Sequence, residues 1–510
     1  MKKILACFVV LTLLLSGCRS NEQKNEGTQI NLSDNKITVD GQEITSDATQ
    51  AVYSANDIVF YLAGQDFTYG EGEKQDEHEQ SEADAHTVVH ITKPGKYILS
   101  GKLSFGQIAV DLGKDAKTDP EAVVILVLNG IDITCTVAPA IIFYNVYECA
   151  EKDEESAKMD VDTKSAGANV IIADNTINNI NGSYVAKIYK PDSVILNEEK
   201  SEVEDANKLH KYDGAFYSKM SMNITGEKTG NGVLNINAEN EGLGSELHLT
   251  INGGIININS GNDGINTNED GVSVTTINGG KLNILCNGKT GEGDGIDSNG
   301  WLVINGGTIT AQACSTSGDA GIDSDKGIYI NGGHVTATGN MLDRIAGGAQ
   351  TYVVFNFASR QNGDTTYILK NSNGDVVGEY SPKNAFTYLI VANNELAPDD
   401  YVFFKGTTQL TGVKSQNMQG MIPGGQRPQM ANGELASPPE PNQNAQAPQM
   451  PGGEPPKGEL PEFPQGEMPN GERPQMPGSM PSSNIEGEAS TIFTILKGGN
   501  QFVGIAPVAP

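Results

Sequence analysis

Short runs of alternating apolar and polar residues, separated by Gly-containing turns, recur through the middle of this chain. The string INGG begins at Ile251, Ile277, Ile304 and Ile330, a spacing of 26 or 27 residues. The segments flanking each INGG alternate with a period of two, which is typical of β-strands, and show no helical period of 3.6. Strands at a fixed repeat without helices predict stacked coils. We therefore expect a right-handed parallel β-helix over residues 51–345.

The pattern changes after the last repeat. Four apolar runs before residue 414 resemble antiparallel strands, and one more strand-like run occurs near the C-terminus. The interval 415–488 holds 15 of the 23 prolines, and it lacks the apolar residues needed for a core. We expect residues 346–414 and 489–507 to form a small antiparallel β module, with 415–488 as a disordered inserted loop.

The N-terminus has the features of a bacterial lipoprotein signal. Two lysines precede an apolar stretch, Ile4 to Leu15, that is too short to span a bilayer. The following Leu-Ser-Gly-Cys resembles a lipobox, so we expect residues 1–17 to be removed and the thiol of Cys18 to be lipidated. An ordinary signal peptide is the alternative. Lipidation would place the protein on the extracellular face of the bacterial cell membrane, with the polar residues 18–50 as a tether.

Charge restricts the classes of partner. The chain has 64 acidic and 34 basic residues and a formal net charge of −30. Nucleic-acid binding requires a basic surface, so this class is disfavoured. The excess of carboxylates is compatible with divalent cations. No G-x-S-x-G motif, phosphate-binding loop or recognisable Ser-His-Asp set occurs.

A second motif runs in phase with INGG and carries aspartates at fixed positions. NDGINTN begins at Asn262, GDGIDSN at Gly293 and GDAGIDSD at Gly318. Stacking would align these carboxylates on adjacent coils, where like charges repel unless a cation lies between them. Ca²⁺ prefers six to eight oxygen ligands. The alternative is that the side chains only satisfy turn backbone. The predicted calcium ligands are Asp263, Asp294, Asp297, Asp319 and Asp323.

Other side chains near this column suggest further chemistry. Alternation places Trp301 and Tyr329 on the outside of their strands, where the rings could stack on sugar faces, although packing under a surface loop is an equal alternative. A lyase would need a base, and Lys219, Lys289 and Lys326 are available near the column. Spacing does not single out one of these lysines.

Several segments resemble a known family. AFYSK from Ala215, GLGSELHLTINGGIININ from Gly242 and GDGIDSNGWLVINGGTI from Gly293 are similar to the bacterial surface carbohydrate-binding β-helix proteins. That family comprises cellulose and acid-sugar binders, and it is related in fold to the family 9 polysaccharide lyases. The resemblance covers roughly residues 50–415 and the last strand. It implies a calcium-bearing Asp column and a coil face that binds acidic polysaccharide.

These observations lead to one expected function and two alternatives. We expect a monomeric, lipid-anchored surface protein that binds polysaccharide, uronate-rich or cellulose, with Ca²⁺ and without catalysis. One alternative is a pectate-lyase-like polysaccharide lyase that uses the same calcium and a Lys base. The other is a structural adhesin or stalk that calcium only stiffens.

Overall fold

The computed structural model describes residues 27–415 and 487–508. The protein is all-β, with 49 % strand and 3 % helix, so the predicted fold class is confirmed at this level. The predicted signal peptide, Cys18 and nearly all of the predicted insert at 415–488 lie outside the described residues. Within the described part of the chain, no helix is long and apolar enough to cross a membrane.

Most strands belong to three ladders in which successive repeats pair in parallel. The first ladder is formed by Gly95–Leu103, Val124–Cys135, Ala168–Ile172, Met222–Gly226, Leu249–Ile251, Val274–Ile277, Trp301–Ile304, Gly327–Ile330 and Ile345–Gly347. The second ladder continues from the ends of Gly95–Leu103 and Val124–Cys135 through Ile177–Gly182, Val233–Ala238, Ile255–Ser260, Lys281–Cys286, Thr308–Gln312 and His334–Gly339. The third ladder is formed by Thr87–Ile91, Gly106–Asp111, Ile141–Asn145, Gly214–Ser218, Glu241–Ser245, Ile265–Thr267 and Ile296–Ser298, with Val52–Ala55 added antiparallel.

A few short elements lie outside these ladders. They are the antiparallel pairs Val185–Tyr189 with Lys208–Tyr212 and Ile195–Leu196 with Val203–Asp205, the strands Thr38–Val39 and Gln42–Glu43, the α-helix Gln80–Ala83, and the 3₁₀ helices Lys114–Thr118 and Pro191–Ser193. Thr28–Leu32 extends the first ladder, because it pairs in parallel with Gly95–Leu103.

Three of the four residues of INGG have a distinct role in the repeat. The isoleucine is fully buried in all four copies, which contributes about 1.5–3 kcal/mol per side chain. The asparagine is exposed, and its amide bonds to the asparagine of the neighbouring coil. The second glycine has φ between 90° and 94° in every copy, a conformation that is accessible to Gly without strain. The four second glycines are Gly254, Gly280, Gly307 and Gly333.

The D-G-I motif is held in register by its apolar residue. Ile265, Ile296 and Ile322 are all fully buried, as predicted. A shift of one residue would turn these side chains outward and the next residue, such as Asp297, inward. The core therefore determines which acids reach the surface of the third ladder.

The N-terminal tether prediction is wrong for much of its length. Thr28–Leu32 pairs in parallel with Gly95–Leu103, and it buries Ile30 and Leu32 completely or nearly so. Residues 18–50 are therefore part of the fold from Thr28 onward. The two apolar side chains in a polar stretch are too few to produce a clear strand pattern in the sequence.

A second core lies beyond the last repeat. Its strands are Tyr352–Gln361, Tyr367–Lys370, Val376–Tyr380, Phe386–Ala392, Asp399–Lys405, Thr408–Lys414, Phe493–Ile495 and Gly499–Pro507. Gly499–Pro507 pairs in parallel with Tyr352–Gln361 and antiparallel to Thr408–Lys414. Phe355 and Phe403 stack with ring centroids 4.2 Å apart. The chain after the insert therefore completes this module.

Candidate functional site

The five aspartates predicted as one calcium column fall into two rows. Asp263, Asp294 and Asp319 lie in turns beside the third ladder, and we call them the turn row. Asp263 Oδ1 accepts the N–H of Asp294 at 2.7 Å, and Asp294 Oδ1 accepts the N–H of Ala320 at 2.5 Å. Asp319 Oδ2 accepts the N–H of Gly293 at 2.5 Å. These contacts satisfy turn backbone, which is the alternative role considered for the aspartates.

The other two predicted aspartates face outward on adjacent rungs. The N–H of Asp323 donates to the carbonyl oxygen of Ile296 at 2.7 Å, which places Asp323 one rung beyond Asp297. Asp343 lies nearby, with its Oδ2 accepting the N–H of Ser324 at 3.0 Å. We call Asp297, Asp323 and Asp343 the carboxylate row.

The carboxylate row combines raised pKa values with the absence of any ion pair to a basic side chain among the described residues. Burial, reinforced by neighbouring carboxylates, raises the pKa of Asp297 to about 7 and that of Asp323 to about 8. Burial also raises the pKa of Asp343. Among the ion pairs of residues 27–415 and 487–508, none includes a member of this row. A bound cation would relieve this repulsion.

A second cluster of acidic and amide side chains lies beside the carboxylate row. Asn266 occupies the rung before Asp297, and its Nδ2 donates to Glu241 Oε1 at 2.8 Å and to Asp263 Oδ2 at 3.4 Å. Glu241 Oε2 and Asn266 Oδ1 are buried, and neither has a hydrogen-bond partner in the described part of the chain. Burial raises the pKa of Glu241 well above its usual value, and the charges of Asp213 and Asp263 add to this. We call Glu241, Asp263 and Asn266 the Glu241 pocket.

The oxygen atoms of the carboxylate row and of the Glu241 pocket supply part of the coordination that calcium requires. Each buried oxygen without a partner costs about 1–3 kcal/mol, so the Glu241 pocket would be stabilised by a ligand that satisfies Glu241 Oε2 and Asn266 Oδ1. In the described ranges, no group of three or more acidic, His or Cys side chains is placed to hold a metal ion by itself. Calcium at either place would therefore also need amide, backbone or water oxygens, which it accepts readily.

A cluster of lysines surrounds one carboxylate of the third ladder. Glu246 accepts from Lys208 Nζ at 3.0 Å and lies 3.7 Å from Lys152 Nζ. Burial lowers the pKa of Lys219, and the positive charges of Lys117, Lys208 and Lys152 lower it further against the opposing effect of Glu246. Lys152 lies in the segment between Ile141–Asn145 and Ala168–Ile172, and Lys208 lies in the strand Lys208–Tyr212, outside the three ladders. These two inserted segments thus bring positive charge to Glu246, next to the ladder that carries the acids.

The two aromatic residues predicted for sugar stacking lie on the first ladder. Both are half-buried. Lys326 Nζ is 4.9 Å from the centroid of the Trp301 ring and 3.5 Å from Glu154 Oε1, so a loop and a lysine partly cover this ring. Tyr329 is paired with Val303 on the neighbouring strand. Sugar stacking on either ring stays a prediction.

Two acids of the site were not predicted from the sequence. Glu241 occupies the rung position of Asp263, because the N–H of Gly242 donates to the carbonyl of Asp263 at 2.9 Å. The string Glu-Gly-Leu at 241–243 is thus a variant of the Asp-Gly-Ile motif, and a comparison that allowed Glu for Asp would have found it. Asp343 follows the last repeat, and no periodic signal marks it.

Comparison with known proteins assigns the family. A family model described as carbohydrate-binding domain-containing protein matches residues 85–159 and 153–351, which together make up about half of the chain. The chain belongs to this family. The matched range contains the turn row, the carboxylate row, the Glu241 pocket and the lysine cluster. The molecular features described above therefore all lie in the part of the chain that the family shares.

Two individual proteins are similar over parts of the chain. A carbohydrate-binding domain-containing protein of Acetivibrio thermocellus is 31 % identical over 169 residues, which are 33 % of this chain and 43 % of that protein. The chain thus spans less than half the length of this curated relative. A solved structure, the gadolinium derivative of a polysaccharide lyase-like protein from C. thermocellum, has 22 % identity and a TM-score of 0.32, covering 60 % of this chain and 92 % of that one. A TM-score of this size does not establish a common architecture.

Proposed function

We propose that this protein binds acidic polysaccharide on its third ladder, with calcium and without cleaving it. The observation that carries the proposal is the set of acids in the carboxylate row and the Glu241 pocket, which are buried or half-buried and form no ion pairs among the described residues. In the pocket, Glu241 Oε2 and Asn266 Oδ1 also lack hydrogen-bond partners among these residues. Family membership supports a carbohydrate ligand. The acidic ligand and the calcium are inferred from the chemistry of the site.

Each group of residues has a distinct part in this proposal. Asp297, Asp323 and Asp343 would hold one ion, and Glu241, Asp263 and Asn266 could hold another. Bound calcium offers coordination positions that a uronate carboxylate can fill. The turn row holds the loops through backbone hydrogen bonds. The lysine cluster adds positive charge that attracts further sugar carboxylates.

Polygalacturonate binding with and without a chelator tests the proposal. Wild-type protein is expected to bind in Ca²⁺ and to lose at least tenfold in affinity in EDTA. Asp297→Asn should show the same loss in Ca²⁺ because it removes a charged ligand while keeping the side-chain shape. Asp192→Asn, at an exposed acid of a 3₁₀ helix, is the matched control and should bind normally.

Two results of this experiment would decide against the proposal. Binding that survives both EDTA and Asp297→Asn would exclude calcium bridging at the carboxylate row. Failure to bind any polysaccharide on a glycan array, together with a rise in thermal stability on adding calcium, would instead favour a structural stalk.

A polysaccharide lyase is the second candidate, and the environment of Lys219 favours it. Its lowered pKa increases the fraction of neutral amine, which can accept the proton α to a uronate carboxylate while the glycosidic C–O bond breaks and the leaving oxygen is protonated by solvent. No carboxylate among the described residues forms an ion pair with Lys219 Nζ. Ultraviolet absorbance of an unsaturated uronide product, lost in Lys219→Met but kept in Lys289→Met, would establish this activity.

We also propose that the three parallel ladders are the faces of a right-handed parallel β-helix. In-register parallel pairing between successive repeats supports this architecture, and the preference of parallel crossovers supports its hand. A crystal structure with left-handed coils would refute it.

Membrane attachment through Cys18 completes the proposal. The lipobox-like sequence before Cys18 supports it. Mass spectrometry of the protein from membranes should find a diacylated N-terminal Cys18, and Cys18→Ser should release the protein from the membrane fraction. An unmodified Cys18 in membrane-bound protein would contradict lipidation.

A further inference from the structure

A groove with a mixed polar and apolar lining runs along the outside of the first ladder, on a different face from the carboxylate row. Its volume is about 1100 Å³. One side of its floor is the exposed asparagine series of the INGG motifs, which we call the amide row: Asn252, Asn278, Asn305 and Asn331. The other side is formed by outward residues of the strands, including Thr250, Thr276 and Val303.

The amide row presents regularly spaced hydrogen-bonding groups. Asn278 Nδ2 donates to Asn252 Oδ1 at 2.8 Å, Asn305 Nδ2 to Asn278 Oδ1 at 2.9 Å, and Asn331 Nδ2 to Asn305 Oδ1 at 2.8 Å. Each inner amide therefore uses one N–H and one lone pair along the ladder, and one of each remains. Since the side chains are exposed, every rung offers a donor and an acceptor, repeated at ~4.8 Å.

One wall of the groove is an insertion loop that is fixed to the floor. Residues 159–164 line this side. Thr163 Oγ1 contacts Asn223 Oδ1 and Thr250 Oγ1, both at 2.7 Å, and the Thr163 carbonyl accepts Asn223 Nδ2 at 2.7 Å. The wall is therefore held in place by three hydrogen bonds rather than resting loosely on the surface.

Charge at the rim discriminates against an acidic ligand. The floor contains amide, hydroxyl and aliphatic side chains without a formal charge. On the wall, Asp160 and Asp162 outnumber Lys164, and Lys164 Nζ lies 3.7 Å from Asp162 Oδ2. A polyanion would meet net negative charge, whereas an uncharged ligand would not.

We propose that this groove is a second polysaccharide site, which binds an extended, uncharged glycan with its chain parallel to the stack of rungs. The rung spacing is close to the length of one sugar residue in an extended chain, so successive hydroxyls can meet successive amides. The half-buried wall residues Met159 and Val161 provide apolar surface for the apolar faces of the sugar rings. The site requires no calcium and none of the acids of the third ladder.

Filling the groove without breaking the amide row tests this proposal. Thr276→Trp places a large side chain on the floor of the groove, and Thr310→Trp places the same side chain on an equally half-buried position of the second ladder. The ligands are β-1,4-linked hexasaccharides of glucose, mannose and xylose, measured by calorimetry in EDTA. We expect wild type and Thr310→Trp to bind at least one of them, and Thr276→Trp to bind it at least tenfold more weakly.

Either of two results would overturn the proposal: none of the three hexasaccharides binds wild type, or Thr276→Trp binds as wild type does. Thr276→Phe replaces the Trp variant if the latter lacks the wild-type far-UV circular dichroism spectrum. Asp297→Asn should leave hexasaccharide binding unchanged. A loss of hexasaccharide binding in the groove can thus be distinguished from a loss of calcium-dependent binding to polygalacturonate.

Discussion

Replacing Asp323 by Asn is expected to stabilise the protein without calcium and to destabilise it with calcium. The pKa of Asp323 is raised to about 8, by burial and then by Asp343, Asp297 and Asp325, whereas an aspartate in the unfolded chain has a pKa of about 3.9. The folded state therefore retains a proton that the unfolded state releases. Stability attributable to this group is lost as pH rises from about 4 to about 8.

The magnitude follows from the pKa difference. Four pKa units correspond to about 5–6 kcal/mol as an upper limit. The repulsion is shared among coupled carboxyls, so removing one charge also relaxes its neighbours, and we expect about 2 kcal/mol at pH 8. At pH 5 the carboxyl is protonated in the folded state but ionised in the unfolded state, so the upper limit falls to about 1.5 kcal/mol, and the isosteric Asn should stabilise the protein clearly less than at pH 8.

Urea unfolding at pH 5 and pH 8, in EDTA and in millimolar Ca²⁺, measures this effect. The proposed calcium, by binding the folded state, should stabilise wild type. Asp323→Asn should lose most of this gain, so the order of stabilities at pH 8 should reverse between the two solutions. Asp192→Asn serves as the control and should follow wild type. Equal stabilities of Asp323→Asn and wild type at pH 8 in EDTA would refute the raised pKa. An unchanged order in Ca²⁺ would refute a calcium site at the carboxylate row.

Three further substitutions test the scaffold by urea unfolding. Ile304→Ala should destabilise the protein by about 2–5 kcal/mol because it opens a cavity in the fully buried stack; a loss below about 1 kcal/mol would contradict this packing. Gly254→Ala should destabilise the protein, because φ is 93° there and the new Cβ would lie 2.7 Å from Ile172 Cδ1. Gly253→Ala is the control, since its new Cβ would lie 3.4 Å from the nearest atom. Equal losses of stability in the two variants would be inconsistent with this turn. Phe502→Ala should cost about 3–5 kcal/mol if the final strand completes the second core, and an unaltered unfolding curve would exclude that role.

The repeats were predictable because their physical constraints recur in the sequence. Each INGG needs an inward aliphatic residue, a turn residue with a free amide, and a glycine at positive φ, and few residue types meet these needs. The N-terminal strand could not be predicted from its local sequence, because the interactions that form it are non-local. Thr28–Leu32 becomes a strand by pairing with residues far along the chain, and its two apolar side chains give little pattern alone.

The candidate site was predictable in composition but not in arrangement. The motif indicates the acids as one group, and their role as calcium ligands stays a prediction. Spacing could not indicate that Asp263, Asp294 and Asp319 bond to backbone N–H groups, because the donors belong to other coils. Nor could it indicate Asp343, which enters from beyond the last repeat. The groove on the first ladder depends on an insertion loop with no repeat of its own.

The difference between the two Asp rows arises from the backbone available to each. Asp294 lies in a turn, where the N–H of Ala320 is free to bond to its carboxylate. Three residues later, Asp297 lies on a strand whose own N–H groups face neighbouring coils, so its carboxylate depends on other partners. Burial and neighbouring carboxylates nevertheless raise the pKa in both rows, to about 7 both for Asp263 in its turn and for Asp297 on its strand. A repeat that aligns Asp294 and Asp297 thus places, within one motif, an acid that bonds to the backbone of a neighbouring coil and an acid that does not.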